Sequence, residues 1–368
     1  MMNRQNQKGG DGSKNIQVEQ MVLHVGIDEK RAREIYQEMN LQLKQDYTQE
    51  ALNAANARVT EFEGKLMPKM AQVDGALQTF ADPAFQLLLV EAQKTAASTE
   101  RPEDYDLLSE LLIHRFKKGE NRITRAGISL AVGIVDKVSD EALLGLTVAH
   151  AINYFTPVSG DINSGLNDLN DLFGSIIYGA LPNGFEWLDH LDILNTVRLN
   201  TLGSLKKIRD YYPERCPGYI DVGIEKKSHN HAKAIEILKE NNIPNKILVS
   251  HTLNDRFVRL KIHHRSHIDQ IYLLNTITHE GKSFTSSVKL SDEQKKALNS
   301  IYDLYSQDNN QRQNNINTLM AEWDKRTSLK TIKSWWDNIP AAFSITSAGR
   351  VLAHSNAQRC NNALPTLD

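Results

Sequence analysis

From Asp104 onward the apolar residues Leu107, Leu108, Leu111, Leu112 and Phe116 recur at three- and four-residue steps. That spacing places them on one helix face, opposite Glu110, His114, Arg115 and Lys118. Ile123 to Val138 predicts a second helix, with Leu130, Ile134, Val135 and Val138 as its apolar stripe and Ala126, Gly127, Ala131 and Gly133 keeping it slim. Two glycines inside a helix cost about 1 kcal/mol each relative to alanine, so close backbone packing is expected to offset them. Ser139 followed by Asp140 and Glu141 reads as an N-cap with an acidic first turn. The third helix that it opens carries Leu143, Leu144, Leu146, Val148, Ile152 and Phe155 and stops at Thr156-Pro157. The rest of the chain is organised around this stretch, Asp82 to Phe155.

Upstream, Ile16, Val18, Val22 and Val25 alternate imperfectly with polar residues and predict a short strand without a local mate. Ile16, Val18 and Val22 are therefore candidate oligomer contacts, an ordered extended arm being the alternative. Asp28 caps a helix holding Ala32, Ile35 and Tyr36, and a longer one spans about Thr48 to Met67, with Pro68 and Gly75 as expected interruptions. After Phe155 the pattern loosens, and a boundary is set near Gly203. Tyr219 to Ile224, Lys246 to Ser250 and Phe257 to Ile262 read as strands around a helix capped by Ser228, a β-α-β-β unit with one parallel crossover. Ser291 and Gln294 form a capping box, and Phe343 to Thr346 reads as a strand leading into a last helix. The expected fold is mainly α. It comprises a tail over 1–14, a helical domain with a short N-terminal strand over 15–202, a small α/β unit over 203–289 and C-terminal helices with a short strand over 290–368.

Composition narrows the functional classes. The 368 residues are 40% hydrophobic and 24% charged with a net charge of -2, so no global field draws the chain to nucleic acid or anionic lipid. The apolar run Ala126 to Val135 is half of the roughly 20 residues that a membrane span needs. Cys216 and Cys360 stand far apart, which supports neither a disulfide framework nor a thiolate zinc site and fits a reducing cytoplasm. The N-terminal stretch has no apolar segment of the kind that a secretory signal carries.

Charge is unevenly placed. Residues 203–267 hold thirteen Lys and Arg against seven Asp and Glu, a local +6 that leaves -8 elsewhere. Lys206, Lys207, Arg209, Lys226, Lys227, Arg256, Arg259, Lys261 and Arg265 are candidate phosphate contacts, with Tyr211, Tyr212 and Phe257 available for stacking. An electrostatic match to the acidic helices, or to an acidic neighbouring subunit, is the competing explanation. Asp221 with Glu225-Lys226-Lys227 has the residue types of a metal-dependent phosphodiesterase, but a separation of four places them on one strand end and favours a solvated turn. His229, His231, His251, His263, His264 and His267 cluster late and read as surface histidines, so no metal and no cofactor is implied. Phosphate-loop and dinucleotide fingerprints are missing, and Gly127 to Ala131 resembles a nucleophile elbow only in a helical context that does not suit one. The adjacent Trp335 and Trp336 are expected to pack in the core.

Four stretches together carry a likeness. They are Gly9-Gly10-Asp11-Gly12-Ser13-Lys14-Asn15-Ile16-Gln17, Gly26-Ile27 to Arg33-Glu34-Ile35, Asp106-Leu107-Leu108 to Leu111-Leu112, and Ile345-Thr346-Ser347-Ala348-Gly349. The chain resembles an uncharacterised family of mostly helical bacterial intracellular proteins, some encoded near mobile-element or phage-defence genes. The resemblance implies a bacterial cytoplasmic setting and a defence role, and it carries over no catalytic residue. The resulting expectation is a non-enzymatic sensor or adaptor that acts by self-assembly or by binding a protein partner. The alternative is a nucleic-acid-binding protein or metal-dependent nuclease built on residues 203–267.

Overall fold

A computed structural model describes residues 27–40, 48–118, 121–279 and 282–367. The tail and the strand holding Ile16, Val18 and Val22 lie outside the described residues. The chain is mainly α with a few small antiparallel strand pairings. It opens with α1 (Glu29–Asn40), α2 (Gln49–Gln72), α3 (Pro83–Ser98), α4 (Pro102–Lys118), α5 (Arg122–Val132) and α6 (Asp140–Tyr154). Local chemistry sets these ends. Asp82 accepts from the Ala84 amide with Pro83 at the first helical position, Asn121 accepts from Ile123, and Ser139 from Ala142. Helix α2 runs through Pro68 and ends four residues later, before Gly75 turns the chain at a φ of 74°.

Helix α5 is shorter than its pattern predicts. Gly133 caps it, and residues 134–138 form turns whose carbonyls are claimed by Arg101, at 2.7 Å from the Val135 oxygen and 2.8 Å from that of Val138. Arg101 also pairs with Asp104 and Asp140, tying the start of α4 to the start of α6. Leu130, expected in the buried stripe, is 59% exposed, while Ile128, Ala131 and Val132 are buried. The buried face is turned because a later helix lies on it.

That helix is α15 (Ser347–Cys360), which packs against α4, α5 and α6. A side chain at Gly127 would stand 3.1 Å from the Ser347 oxygen, so this glycine does permit close approach, whereas Gly133 has no such neighbour. Between α6 and α15 run α7 (Ile162–Ile176), α8 (Glu186–Ile193), β1 (Val197–Asn200), α9 (Ile208–Arg215), α10 (Pro217–Ile220) and β2 (Ile224–Glu225). They are followed by α11 (His229–Glu240), β3 (Leu248–Ser250), β4 (Phe257–Leu260), the antiparallel hairpin β5 (Tyr272–His279) and β6 (Lys282–Lys289), α12 (Asp292–Tyr302), α13 (Asn309–Asp324), α14 (Thr327–Trp336) and β7 (Ala342–Ile345). Strand β1 pairs antiparallel with β7, Val197 opposite Ile345, and this delivers the chain into α15.

The expected strand over Tyr219 to Ile224 is corrected: Pro217-Gly218 start a helical turn, and only Ile224 and Glu225 pair with β4. Strand β4 lies between β2 and β3 and is antiparallel to both, so β2 and β3 run parallel across the α11 crossover with the last strand central. One hydrophobic cluster extends from Ala32 to Ala357 and contains residues from both sides of the boundaries set at 203 and 290, among them Ile208, Tyr219, Trp323 and Leu352. Ile224 to Tyr305 form a second cluster, which α12 shares with the small sheet. Trp335 and Trp336 are buried as expected, donating to the Pro182 and Lys206 carbonyls. No helix among the described residues is long and apolar enough to cross a membrane.

Two glycine-to-alanine changes should act in opposite directions. Gly349→Ala would drive its methyl into the Thr196 carbonyl and lower stability by about 1–3 kcal/mol, whereas nothing lies within 4 Å of a side chain at Gly64 inside α2, and Gly64→Ala should gain about 0.5–1 kcal/mol. Urea unfolding of both variants checks the sign.

Candidate anion-binding pocket

The last turn of α4 brings His114 and Lys118 to a cavity of about 240 Å³, and the first turns of α5 and α15 face them. From α5 come Asn121 and Thr124, from α15 Ser347 and Arg350, and Tyr154 closes the side at the end of α6. The first turns of α5 and α15 border the same space with their positive dipole ends, which favours negative charge, although the Ile123 and Gly349 amides are already capped by Asn121 and Thr346. The carbonyl end of α4 opposes this, and Arg115, Lys117 and Lys118 in its last turn offset it. No Asp or Glu among the described residues lines the cavity.

His114 is 4% exposed, and neither of its ring nitrogens has a hydrogen-bond partner. Burial pushes its pKa down to about 4, with the neighbouring His354, Lys117 and Lys118 acting in the same direction. The ring is therefore neutral at pH 7. Beside it, His354 Nε2 lies 2.8 Å from the Pro365 carbonyl, which only accepts, so Nε2 carries the proton and Nδ1 is left to accept from His150 Nε2 at 3.1 Å. His150 is buried and held down to about 3 by desolvation, then by His354 and Arg350. Tyr154 stacks on His150 with ring centres 5.1 Å apart, and Phe155 stacks on His354 at 5.8 Å. The three histidines come from α4, α6 and α15, so the pocket is assembled from both ends of the chain.

The residues singled out from the sequence are placed elsewhere. Lys206 pairs with Glu214, Arg256 with Glu225 and Arg265 with Asp303, while Arg209 donates to Asn317. Lys207, Lys227 and Lys261 are exposed and Lys226 is partly exposed. Arg259 must be withdrawn from any phosphate-facing surface. It is 1% exposed, and its guanidinium donates to the carbonyls of Gly160, Gly218, Leu260 and Ile262 with the Tyr219 ring 5.7 Å away. Asp221 and Glu225 do not converge: Asp221 accepts from the Tyr302 hydroxyl and faces Arg312, whereas Glu225 turns to Arg256. His263 and His267 meet with ring centres 3.9 Å apart, yet no group of three metal-ligating side chains able to hold an ion exists among the described residues. The sequence pattern places His114 on the solvated face of its helix and marks neither His150 nor His354. The available signal was His354 itself, set in Val351-Leu352-Ala353 on an otherwise apolar helix turn. A larger cavity of about 540 Å³ lies between Glu103, Glu141 and Tyr178, but no buried unpartnered polar atom among the described residues lines it.

A family model whose description reads only ":-like" matches residues 26–366, and the chain belongs to that uncharacterised family. No curated protein and no solved structure matches it.

Two measurements test this account of the buried cations and histidines. Arg259→Ala leaves four carbonyls without their donor and should cost about 3 kcal/mol or more, whereas Lys226→Ala should stay within about 0.5 kcal/mol in the same unfolding assay. His114, His251 and His263 are held down to about 4 and His150 to about 3. Below pH 6.5 the unfolded chain takes up protons that the folded chain refuses. Stability is thus fully present above pH 6.5 and falls towards pH 4, by about 1.4 kcal/mol per pH unit for each group. Urea midpoints measured from pH 7.5 to 4.5 should show that slope, reduced by one group in His150→Leu.

Proposed function

We propose that the chain is a non-enzymatic sensor or adaptor in which a small anionic ligand occupies the pocket formed by α4, α5, α6 and α15, and a protein partner or a second copy reads that occupancy. The observation that carries this reading is a cavity without described carboxylates, bordered by Lys118, Arg350 and the first turns of α5 and α15, with the buried, unpartnered ring of His114 in its wall. Because α15 forms part of the wall, a ligand there bears directly on how the last helix sits against the first ones. The family resemblance supports extending the proposal to the bacterial cytoplasm and to antiphage defence.

Thermal unfolding of the full chain with inorganic phosphate, sulfate and a nucleoside monophosphate, against spermidine as a cationic control, tests the pocket. Saturating anion should raise the midpoint by a few degrees, since a ligand at a hundred times its Kd stabilises by about 2.7 kcal/mol. Arg350→Glu, an exposed change, should abolish the shift and leave the ligand-free midpoint in place. Absence of any shift at millimolar anion would end this reading. Light scattering with and without the anion then separates self-assembly from a protein partner.

A further inference from the structure

Strands β5 and β6 pack extensively on each other and on no other element among the described residues. They pair from Tyr272 opposite Lys289 to His279 opposite Lys282, and no third described strand joins them. At the foot of this hairpin Leu273 packs against the smaller cluster, whereas Tyr272 and Val288 are about half exposed. Eight residues per strand give a ribbon about 26 Å long. A two-stranded ribbon is only marginally stable alone in water, and each of its edges carries a row of N–H and C=O groups open to a further strand. The two edges are not alike. Strand β6 begins and ends in lysine, Lys282 and Lys289, a placement that protects an edge, while Tyr272 to His279 contains no Lys, Arg, Asp, Glu or Pro. A cavity of about 330 Å³ lined by Pro244, Ile247, Tyr272 and Leu273 adjoins the foot of β5, and no described residue of β6 lines it. The body of the protein therefore leaves space beside β5 there.

We propose that β5 is the docking edge for a second copy of this chain, the two hairpins joining about a two-fold axis into one four-stranded antiparallel sheet. Backbone groups point alternately towards and away from a neighbouring strand, so residues that face each other across the axis must both be odd-numbered or both even-numbered. With Asn275 on the axis, Leu273 faces Ile277 of the second copy. Within each hairpin Leu273 is opposite Val288 and Ile277 is opposite Phe284. That register lines up Val288, Leu273, Ile277 and Phe284 in a row across all four strands, twice, on one face of the sheet. Moving the axis to Thr276 sets Leu273 against His279 and breaks both rows. Joining through β6, with Thr285 or Ser286 on the axis, brings Lys282 of one copy within one residue of facing Lys289 of the other, and like charges there repel. Pairing through β5 also closes on itself, because it leaves the lysine-flanked β6 at both outer edges and assembly stops at two copies. The edge shares no residue with the anion pocket and does not rest on that reading.

Sedimentation velocity of the full chain from low micromolar to hundreds of micromolar tests the proposal. A reversible equilibrium between monomer and dimer is expected, since pairing along one short strand makes a small interface. Asn275→Lys sets like charges face to face on the axis and should weaken dimerisation at least tenfold. Ser286→Lys, the same change directly across the hairpin, should leave it unchanged. Circular dichroism establishes that both variants fold. As a second measure, Asn275→Cys should oxidise to a disulfide-linked dimer and Ser286→Cys should not, each compared with the wild-type chain, whose Cys216 is buried. A chain that stays monomeric at every concentration overturns the proposal. So does a dimer that survives Asn275→Lys, or one that Ser286→Lys breaks instead. None of these results alters the anion shift expected of the pocket, so the two readings fail separately.

Discussion

The seating of α15 against α4, α5 and α6 is the contact on which the larger cluster and its pocket depend. Two close backbone approaches fix its first turn, Gly127 on Ser347 and Gly349 on the Thr196 carbonyl, and the β1–β7 pairing aims the chain into the groove. Ala348 to Ala357 are buried almost without interruption apart from Arg350, although the segment includes His354, Ser355 and Asn356. Burying such groups costs free energy unless they are bonded. Asn356 donates to the Thr147 hydroxyl at 2.8 Å and His354 is bonded at both nitrogens, whereas the buried Ser355 hydroxyl has no partner. The helix is thereby held by specific polar contacts as well as by apolar area, which fixes its rotation.

Arg259 plays the corresponding part between the two clusters. Its carbonyl partners lie on the segment before α7, on α10 and at the end of β4, so one side chain joins the small sheet to the helical body. Burial lowers its pKa from the usual arginine value, yet an arginine in a protein stays charged, and that charge is spread over carbonyl dipoles. This explains why part of the local positive excess in the sequence carries no surface consequence.

Local signals were legible where they are decided locally. The caps at Ser139, Ser228 and Ser291 are all formed, and the apolar stripes of α2, α4 and α6 are buried. What failed depends on partners far away in the chain. A single stripe identifies one buried face, but α4 is covered by α2 and α3 on one side and by α15 on another, so His114 reads as solvated and is buried. Tyr219 and Ile220 look like a strand because they are apolar, while Pro217 decides for a helical turn. The basic residues of 203–267 form a cluster in sequence, but Lys206, Arg209 and Arg265 take their partners from wherever the fold supplies them, Glu214, Asn317 and Asp303. The pocket itself was invisible for the same reason: its walls come from segments more than two hundred residues apart.

The order in which α15 arrives has a cost during synthesis. Roughly 190 residues separate the end of α6 from the start of α15, and at about 5–20 residues per second the nascent chain spends on the order of 10–40 s with the groove of α4, α5 and α6 uncovered. Ile128, Ala131, Leu144 and Val148 are apolar residues of the larger cluster on helices that α15 will touch, and over that interval they lack its cover. A ribosome-associated holdase has its longest opportunity there, and crowding of unfinished chains on one messenger is most hazardous at the same moment.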